Sequence, residues 1–323
     1  MTRKEGVVLK GTGGVWHVRA DSGETHEASL RGRLKQEREE TKKLAVGDRV
    51  VLEIDERGVH WAIAEILPRH SKLARREPGS GQGERIVAAN VDQVVVVFAA
   101  AKPEPHRRML DRFLVIAEAN SLESRIVINK VELVDMDKVQ REFGDYVVAG
   151  YPVHYTSVKQ RIGLDELHDV LAGKTSVLTG PSGVGKSSLM NSMYPGLDLR
   201  VGEISESVNK GRHTTVGALL HPLPDAGYVV DTAGLREVGM WGLASEHLDE
   251  CFREFRPHIA ECKFGDCTHR VEPGCGVRKA VQDGSISADR YDSYLRLREE
   301  MEDAEKKWAP YSAAASKPKR RRS

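Results

Sequence analysis

Hydrophobic and polar positions follow two spacings along the chain. Up to about Arg75 they alternate over short segments, Glu5 to Lys10, Val15 to Ala20, Arg49 to Ile54 and His60 to Leu67, with Gly-rich turns between them. Period-two alternation with frequent turns predicts antiparallel strands, here a small barrel over residues 1–75. Leu44 to Val51 reads as a turn entering one of its strands. Residues 76–88, with Pro78, Gly79, Ser80, Gly81 and Gly83, are expected as a flexible linker. The spacing then changes. Val91 to Ala101, Ser124 to Ile128, Tyr146 to Ala149, Thr175 to Thr179 and Tyr228 to Val230 are short apolar runs of the kind a sheet covered on both faces buries. Arg108 to Glu118 and Ser187 to Met193 carry helical spacing instead. This alternation predicts a mainly parallel α/β domain over 89–240. Beyond Gly242 the pattern is helical, with a charged helix near Ala288 to Trp308, giving a third unit over 241–310 and a tail over 311–323.

The strand Thr175 to Thr179 runs into Gly180-Pro181-Ser182-Gly183-Val184-Gly185-Lys186-Ser187-Ser188 and then into a helix, which is the context of a phosphate-binding P-loop. Backbone N–H groups at such a turn surround the α- and β-phosphates, helped by the positive end of the helix dipole. Lys186 is expected to reach the β- and γ-phosphates and Ser187 to ligate Mg²⁺. Upstream, the strand ending at Ile128 leads into Asn129-Lys130-Val131-Glu132. There Asn129 and Lys130 would pack against the P-loop and base, and the Glu132 carboxylate would accept the guanine N1–H and exocyclic N–H₂, a donor pair that adenine lacks. Alone the stretch reads equally as a polar strand-end turn; with a P-loop it reads as a guanine reader. Ser157, in Tyr155 to Val158, resembles the loop that backs the guanine O6 with backbone N–H groups.

Downstream, Asp231-Thr232-Ala233-Gly234 is the DxxG pattern, in which Asp231 holds Mg²⁺ through water and the Gly234 N–H senses the γ-phosphate. Leu235 follows, where Ras-like enzymes carry a water-orienting Gln. Leucine cannot position a nucleophile, so slow intrinsic hydrolysis is expected. Lys210 to Thr215 is Gly-rich, charged and without an apolar face, as expected of a switch loop. Thr215 would complete the Mg²⁺ shell. His213 is either the substitute that orients water or a solvated loop histidine. In ordinary GTPases the P-loop precedes the base reader; here the order is reversed.

Cys262, Cys267, His269 and Cys275 gather three thiolates and one imidazole within fourteen residues, with Gly265, Pro273 and Gly274 for tight turns. That donor set makes a closed, four-coordinate structural zinc site with no open position for catalysis. Disulfides are the rival. No secretory signal opens the chain, and a P-loop goes with a reducing, nucleotide-rich compartment, which favours the metal. Cys251, outside the spacing, reads as a buried small hydrophobe.

At 323 residues the chain has room for two or three cored domains. Lys and Arg total 49 against 48 Asp and Glu, so overall charge does not announce a nucleic-acid binder. The tail does: five basic residues between Lys317 and Arg322 suit phosphate contacts, with a solvated tail as the alternative. No apolar run is long enough to cross a bilayer. The barrel suits an OB-fold, a frequent RNA binder, on which Trp16 and Trp61 would either stack bases or fill the core.

Together the base reader, P-loop, Gly211-Arg212-His213-Thr214-Thr215 switch, DxxG with a following hydrophobe and Cys/His knuckle resemble the circularly permuted RsgA (YjeQ) family of ribosome-small-subunit-dependent GTPases, over nearly the whole chain. Glu132, where that pattern has Asp, and Ala233, where it has Pro, depart from it. The resemblance implies a multidomain fold: an N-terminal OB-type β-barrel, a circularly permuted P-loop GTPase domain and a helical zinc domain. It also implies GTP and GDP as ligands, Mg²⁺ bound with GTP, one structural zinc, the small (30S) ribosomal subunit and its rRNA as partners, and a role in late subunit maturation. A monomer in the cytoplasm, away from membranes, is expected. Two other readings are a nucleotide-gated RNA-binding module with incidental hydrolysis and a P-loop kinase. The second lacks any second-substrate motif. Because the second switch here runs through Leu235 to Trp241 straight into the zinc unit, GTP and GDP states are expected to differ in domain arrangement.

Overall fold

The computed structural model describes residues 3–31, 43–54, 60–76, 84–197, 199, 218–231 and 243–315. Its first unit is a closed barrel of β1 (Arg3–Thr12), β2 (Val15–Ala20), β3 (Thr25–Leu30), β4 (Arg49–Ile54) and β5 (Trp61–Ile66), in the order β1-β2-β3-β5-β4. Only the β3–β5 pair is parallel, so the chain closes as an OB-type barrel. Val8, Val18, Val50, Leu52 and Ile63 fill it. Trp16 and Trp61 flank Ala28 from either side in register, and all three pack against this core. The two indoles therefore pack against the barrel interior while staying partly exposed. Gly11 faces Trp16: a Cβ there would lie 2.5 Å from the indole ring, so the ring lies over bare backbone.

The segment expected as a linker departs from that reading. Residues 84–88 belong to β7 (Glu84–Ala89), which pairs with β6 (Lys72–Arg76) in an antiparallel ribbon; 77–83 lie outside the described residues. The Gly and Pro residues just before it hid this strand, of which Ala88 and Ala89 are buried and Val87 packs against the core. A seam of hydrogen bonds joins ribbon and barrel. Asn90 Nδ2 donates to the Gly47 carbonyl at 2.9 Å, and the Ala89 N–H to that of Val46 at 2.8 Å. Gly47 sits at φ +86, and a side chain there would strike the Ala89 carbonyl at 2.2 Å. Arg69 clamps the buried Asp48 carboxylate with two bonds of 2.6 and 2.7 Å.

The central sheet comprises β8 (Gln93–Ala99), β9 (Glu123–Asn129), β10 (Val153–Thr156), β11 (Thr175–Thr179), β12 (Leu219–Pro222) and β13 (Tyr228–Asp231), ordered β10-β9-β8-β11-β13-β12. All pairs are parallel except β12–β13 at the edge. Every residue of β8 is buried: Val94, Val96 and Phe98 enter the core on one face, Val95, Val97 and Ala99 that on the other. The first face is covered by α1 (Arg107–Ala119), α2 (Met136–Glu142) and α3 (Gly144–Val148), the second by α4 (Leu164–Leu171) and α5 (Lys186–Met193). Tyr146 to Ala149, expected as a strand, lies in and beside α3. Tyr146 and Ala149 are buried while Val147 and Val148 are 54% and 80% exposed, a three-residue period that four apolar residues in a row conceal.

The C-terminal unit begins with short 3₁₀ turns at Ser245–His247, Asp249–Cys251 and Arg253–Phe255. It continues through α6 (Arg256–Ile259), α7 (Gly276–Gln282) and α8 (Ala288–Ala315). Its core of Phe252, Phe255, Tyr294 and Leu297 includes Val115 of α1, so this unit and the sheet domain share packing. Arg290 crosses the junction, fully buried between Asp111 of α1 and Glu254.

Candidate nucleotide site and metal centre

The P-loop leaves β11 at Gly180, whose φ is +135 and whose Cβ would lie 2.0 Å from the Val97 carbonyl of β8. Only glycine lets the turn cross β8 this closely. Gly185, at φ +96, caps α5, and a Cβ there would collide with Asn129 Nδ2 at 2.5 Å. Lys186 and Ser187 open α5 and are buried. The Lys186 ammonium donates to the carbonyls of Gly180 and Pro181 at 2.9 and 2.7 Å, which holds it across the mouth of the loop. Val184 is buried, Ser182 and Gly183 are exposed, and Ser188 sits one residue further along α5.

The base reader meets this loop although it lies about fifty residues earlier in the sequence. Asn129 ends β9, is 2% exposed, and donates from Nδ2 to the Val184 carbonyl at 2.9 Å. Its Oδ1 accepts from Thr156 Oγ1 at 3.2 Å. Lys130 adopts a left-handed φ of 61, rare for a residue with a Cβ, and its ammonium donates to the Gly183 carbonyl at 2.6 Å and to that of Lys102. The next residues, Val131–Leu133, form a 3₁₀ turn that carries Glu132. One carboxylate oxygen of Glu132 is buried and has no hydrogen-bond partner among the described residues. An orphaned buried acceptor costs about 1–3 kcal/mol and is what a ligand bearing N–H donors would satisfy. Ser157 is fully buried; its N–H donates to the Ile162 carbonyl and its Oγ accepts from the Gln160 N–H, both at 3.0 Å. Its own N–H is thus spent inside the turn, which shapes the loop rather than facing a base oxygen.

Asp231 ends β13 in register with Leu178 of β11, at the strand ends where the P-loop begins. Thr232, Ala233, Gly234 and Leu235, with His213 and Thr215, lie outside the described residues. Among the site residues only the base reader, Ser157, the P-loop and the Asp231 backbone are therefore placed here.

Cys262, Cys267, His269 and Cys275 converge so that their ligand atoms lie within 4.8 Å of one another. A tetrahedron with Zn–S bonds of about 2.3 Å has S···S edges of about 3.8 Å and S···N edges of about 3.6 Å. The Cys262–Cys275 sulfur separation is 3.9 Å, and His269 Nδ1 lies 3.6 and 3.3 Å from the same two sulfurs. The donor set and its spacing fit a tetrahedral metal. His269 Nε2 is 3.0 Å from the Asp249 carboxylate, which fixes the ring with Nδ1 turned to the cluster. N–H groups of Gly276 and Arg278 point at the sulfurs of Cys262 and Cys275 at 3.3 and 3.4 Å. All four cysteines are unpaired, so the disulfide alternative is not what forms. Burial pushes the Cys251 thiol up to about 12, in keeping with an inert core residue.

Asp249, Thr156 and the Lys102 carbonyl were not legible beforehand. Each supports a functional residue from a separate element, and no local spacing marks them.

A family model described as RsgA GTPase matches residues 66–241, and one described as RsgA N-terminal domain matches residues 5–60. The "Small ribosomal subunit biogenesis GTPase RsgA" of Gemmatimonas aurantiaca is 58% identical over 301 residues, spanning 93% of this chain and 98% of the relative. The chain belongs to the RsgA family. It is a P-loop GTPase, and its reversed motif order is the family's circular permutation. The protein of the same name from Bacteroides fragilis is 39% identical over 306 residues, covering 93% of this chain and 97% of that one. Solved structures are similar as well. YjeQ from Thermotoga maritima has a TM-score of 0.77 at 36% identity, over 93% of this chain and 99% of that one. YloQ, titled a circularly permuted GTPase, has a TM-score of 0.74 at 30% identity, over 94% and 96%.

Proposed function

We propose that this RsgA-family GTPase binds the small ribosomal subunit in the cytoplasm, acts late in its maturation, and hydrolyses GTP faster when bound. The observation that carries the GTP reading is the interlock of base reader and P-loop, in which Asn129 and Lys130 bind the loop that cradles phosphate while Glu132 offers an unsatisfied buried acceptor. The reaction is in-line attack of water on the γ-phosphate. Lys186 neutralises charge on the β- and γ-oxygens, and the N–H groups from Gly183 to Ser188 stabilise the transition state. Ser187, Thr215 and Asp231 would hold Mg²⁺, which with GTP would offset the charge that develops on the phosphate oxygens. Gly234 would report the γ-phosphate, and His213 is our candidate to orient water in place of the glutamine that Leu235 lacks. With the Ser157 N–H engaged in its own turn, that residue acts by shaping the loop around the base. Cys262, Cys267, His269 and Cys275 hold one structural zinc, which braces the C-terminal unit against α1.

Co-sedimentation of the protein with purified small subunits in GDP and in a non-hydrolysable GTP analogue tests the reading. Tighter association in the analogue is expected; equal association in both states would remove the nucleotide gating.

A further inference from the structure

The sheet domain and the C-terminal unit leave a cavity of about 580 Å³ between them, immediately outside the P-loop. One wall is the P-loop itself, through Pro181 and Ser182; the second is the start of α1; the third is α8. Its charge is lopsided. Arg108, Arg112 and Arg296 line it against the single carboxylate of Glu300. Arg112 is tied to Glu300, and Arg296 to Asp292 at 2.7 Å, one turn back on α8. Arg108 has no carboxylate partner among the described residues, although its neighbour Arg107 has two, Asp145 and Asp289. The floor is apolar: Phe113 and Leu297 are buried, and Met109 is 42% exposed.

A pocket of this size with an apolar floor and an uncompensated guanidinium at its lip matches one nucleotide unit: base or ribose over thioether and ring, phosphate on arginine. Two sources carry that unit, a free mononucleotide and an RNA strand. The cavity opens at a junction of two domains, with Arg108 exposed at its edge and basic side chains on both walls, which lets a strand enter and leave. We propose that this cavity holds an unpaired nucleotide of bound RNA, with its phosphate on Arg108, so that RNA touches the outer wall of the P-loop. The inference rests on the RNA-bound reading of function above and names a contact within it. It also supplies a physical path: α1 follows the loop whose Lys102 carbonyl accepts from Lys130, and Lys130 in turn holds Gly183.

The probe is a short, 5′-labelled, single-stranded RNA bound to the GDP-loaded full chain. Arg108→Glu should weaken binding about tenfold or more and lower the dependence of log affinity on log salt by about one. Arg108→Lys should keep most of it. Hydroxyl-radical footprinting should show Met109 protected from oxidation by saturating RNA. Unchanged thermal unfolding of Arg108→Glu separates the effect from misfolding. The proposal is overturned if Met109 oxidises at the same rate with and without RNA, or if Arg108→Glu binds RNA as wild type does. It is equally overturned if free mononucleotide protects Met109 as well as the oligonucleotide does. Loss of the proposed function would instead show in the wild-type protein, as absence of any response to small subunits.

Discussion

Arg290 offers a stringent test of how the C-terminal unit is fixed to the GTPase domain. Its guanidinium donates to Asp111 at 2.5 Å and to both oxygens of Glu254 at 2.6 and 3.1 Å. It also lies over the rings of Phe252 and Tyr146 at 4.6 and 5.2 Å. Burial works against the charge, and the two carboxylates outweigh it, so the group is held above its ordinary value. Arg290→Met removes every one of these bonds and leaves two carboxylates buried without a cation; Asp111 keeps only the Tyr146 hydroxyl at 2.8 Å. Breaking a buried pair from one side costs about 3–5 kcal/mol. That is a fifth or more of the stability of a typical domain, about 5–15 kcal/mol. Urea unfolding should show this loss, and limited proteolysis should cut the C-terminal unit first. The triple variant with Asp111→Leu and Glu254→Leu should recover most of it, because no charge then remains to be buried. A loss under about 1 kcal/mol, or a triple variant no more stable than Arg290→Met, would refute the reasoning.

Asn129→Ala removes the bonds to Val184 and Thr156 and should weaken GDP binding about tenfold to a hundredfold, about 1.4–2.8 kcal/mol by titration calorimetry; an unchanged Kd would contradict the interlock. The purified protein should hold about one zinc per chain by elemental analysis, and Cys275→Ser should lose it together with several kcal/mol of stability; full metal retention would exclude Cys275 as a ligand. Burial alone would raise the Glu272 carboxyl, but hydrogen bonds from the Thr268 hydroxyl and the N–H groups of Thr268, Arg270 and Val271 hold it at about 2. Its contribution is therefore present above about pH 4.5 and lost as pH falls towards 2, so the stability gap between wild type and Glu272→Gln should narrow below about pH 4.5. A gap constant from pH 7 to pH 3 would contradict this.

What the sequence revealed follows from where the information is local. Motifs at strand ends were legible because chemistry fixes both residue type and spacing there: the P-loop glycines must admit the Val97 carbonyl and Asn129, and four metal ligands must reach one point. Strands buried on both faces, such as β8, announce themselves as apolar runs. β3 did not, since only Ala28 and Leu30 of its six residues are apolar. α3 was misread because exposed Val147 and Val148 look like strand residues until Tyr146 and Ala149 are seen to share a face. The ribbon of β6 and β7 was hidden by the Gly- and Pro-bearing sequence between its two strands. Contacts between distant segments, Arg290 with Asp111 or Asp249 with His269, leave no local signature at all. The reversal of P-loop and base reader was plain in one dimension. Its consequence needed coordinates: Lys130 and Asn129, from upstream, donate to the loop's Gly183 and Val184 carbonyls.

The central claim is an enzyme that waits for its partner, with a site built to bind GTP and, at Leu235, no side chain able to orient water. Multiple-turnover GTP hydrolysis with and without saturating purified small subunits tests it most directly. Slow turnover alone and a rise of about two orders of magnitude or more with subunits is the predicted result. An identical rate in both would contradict it.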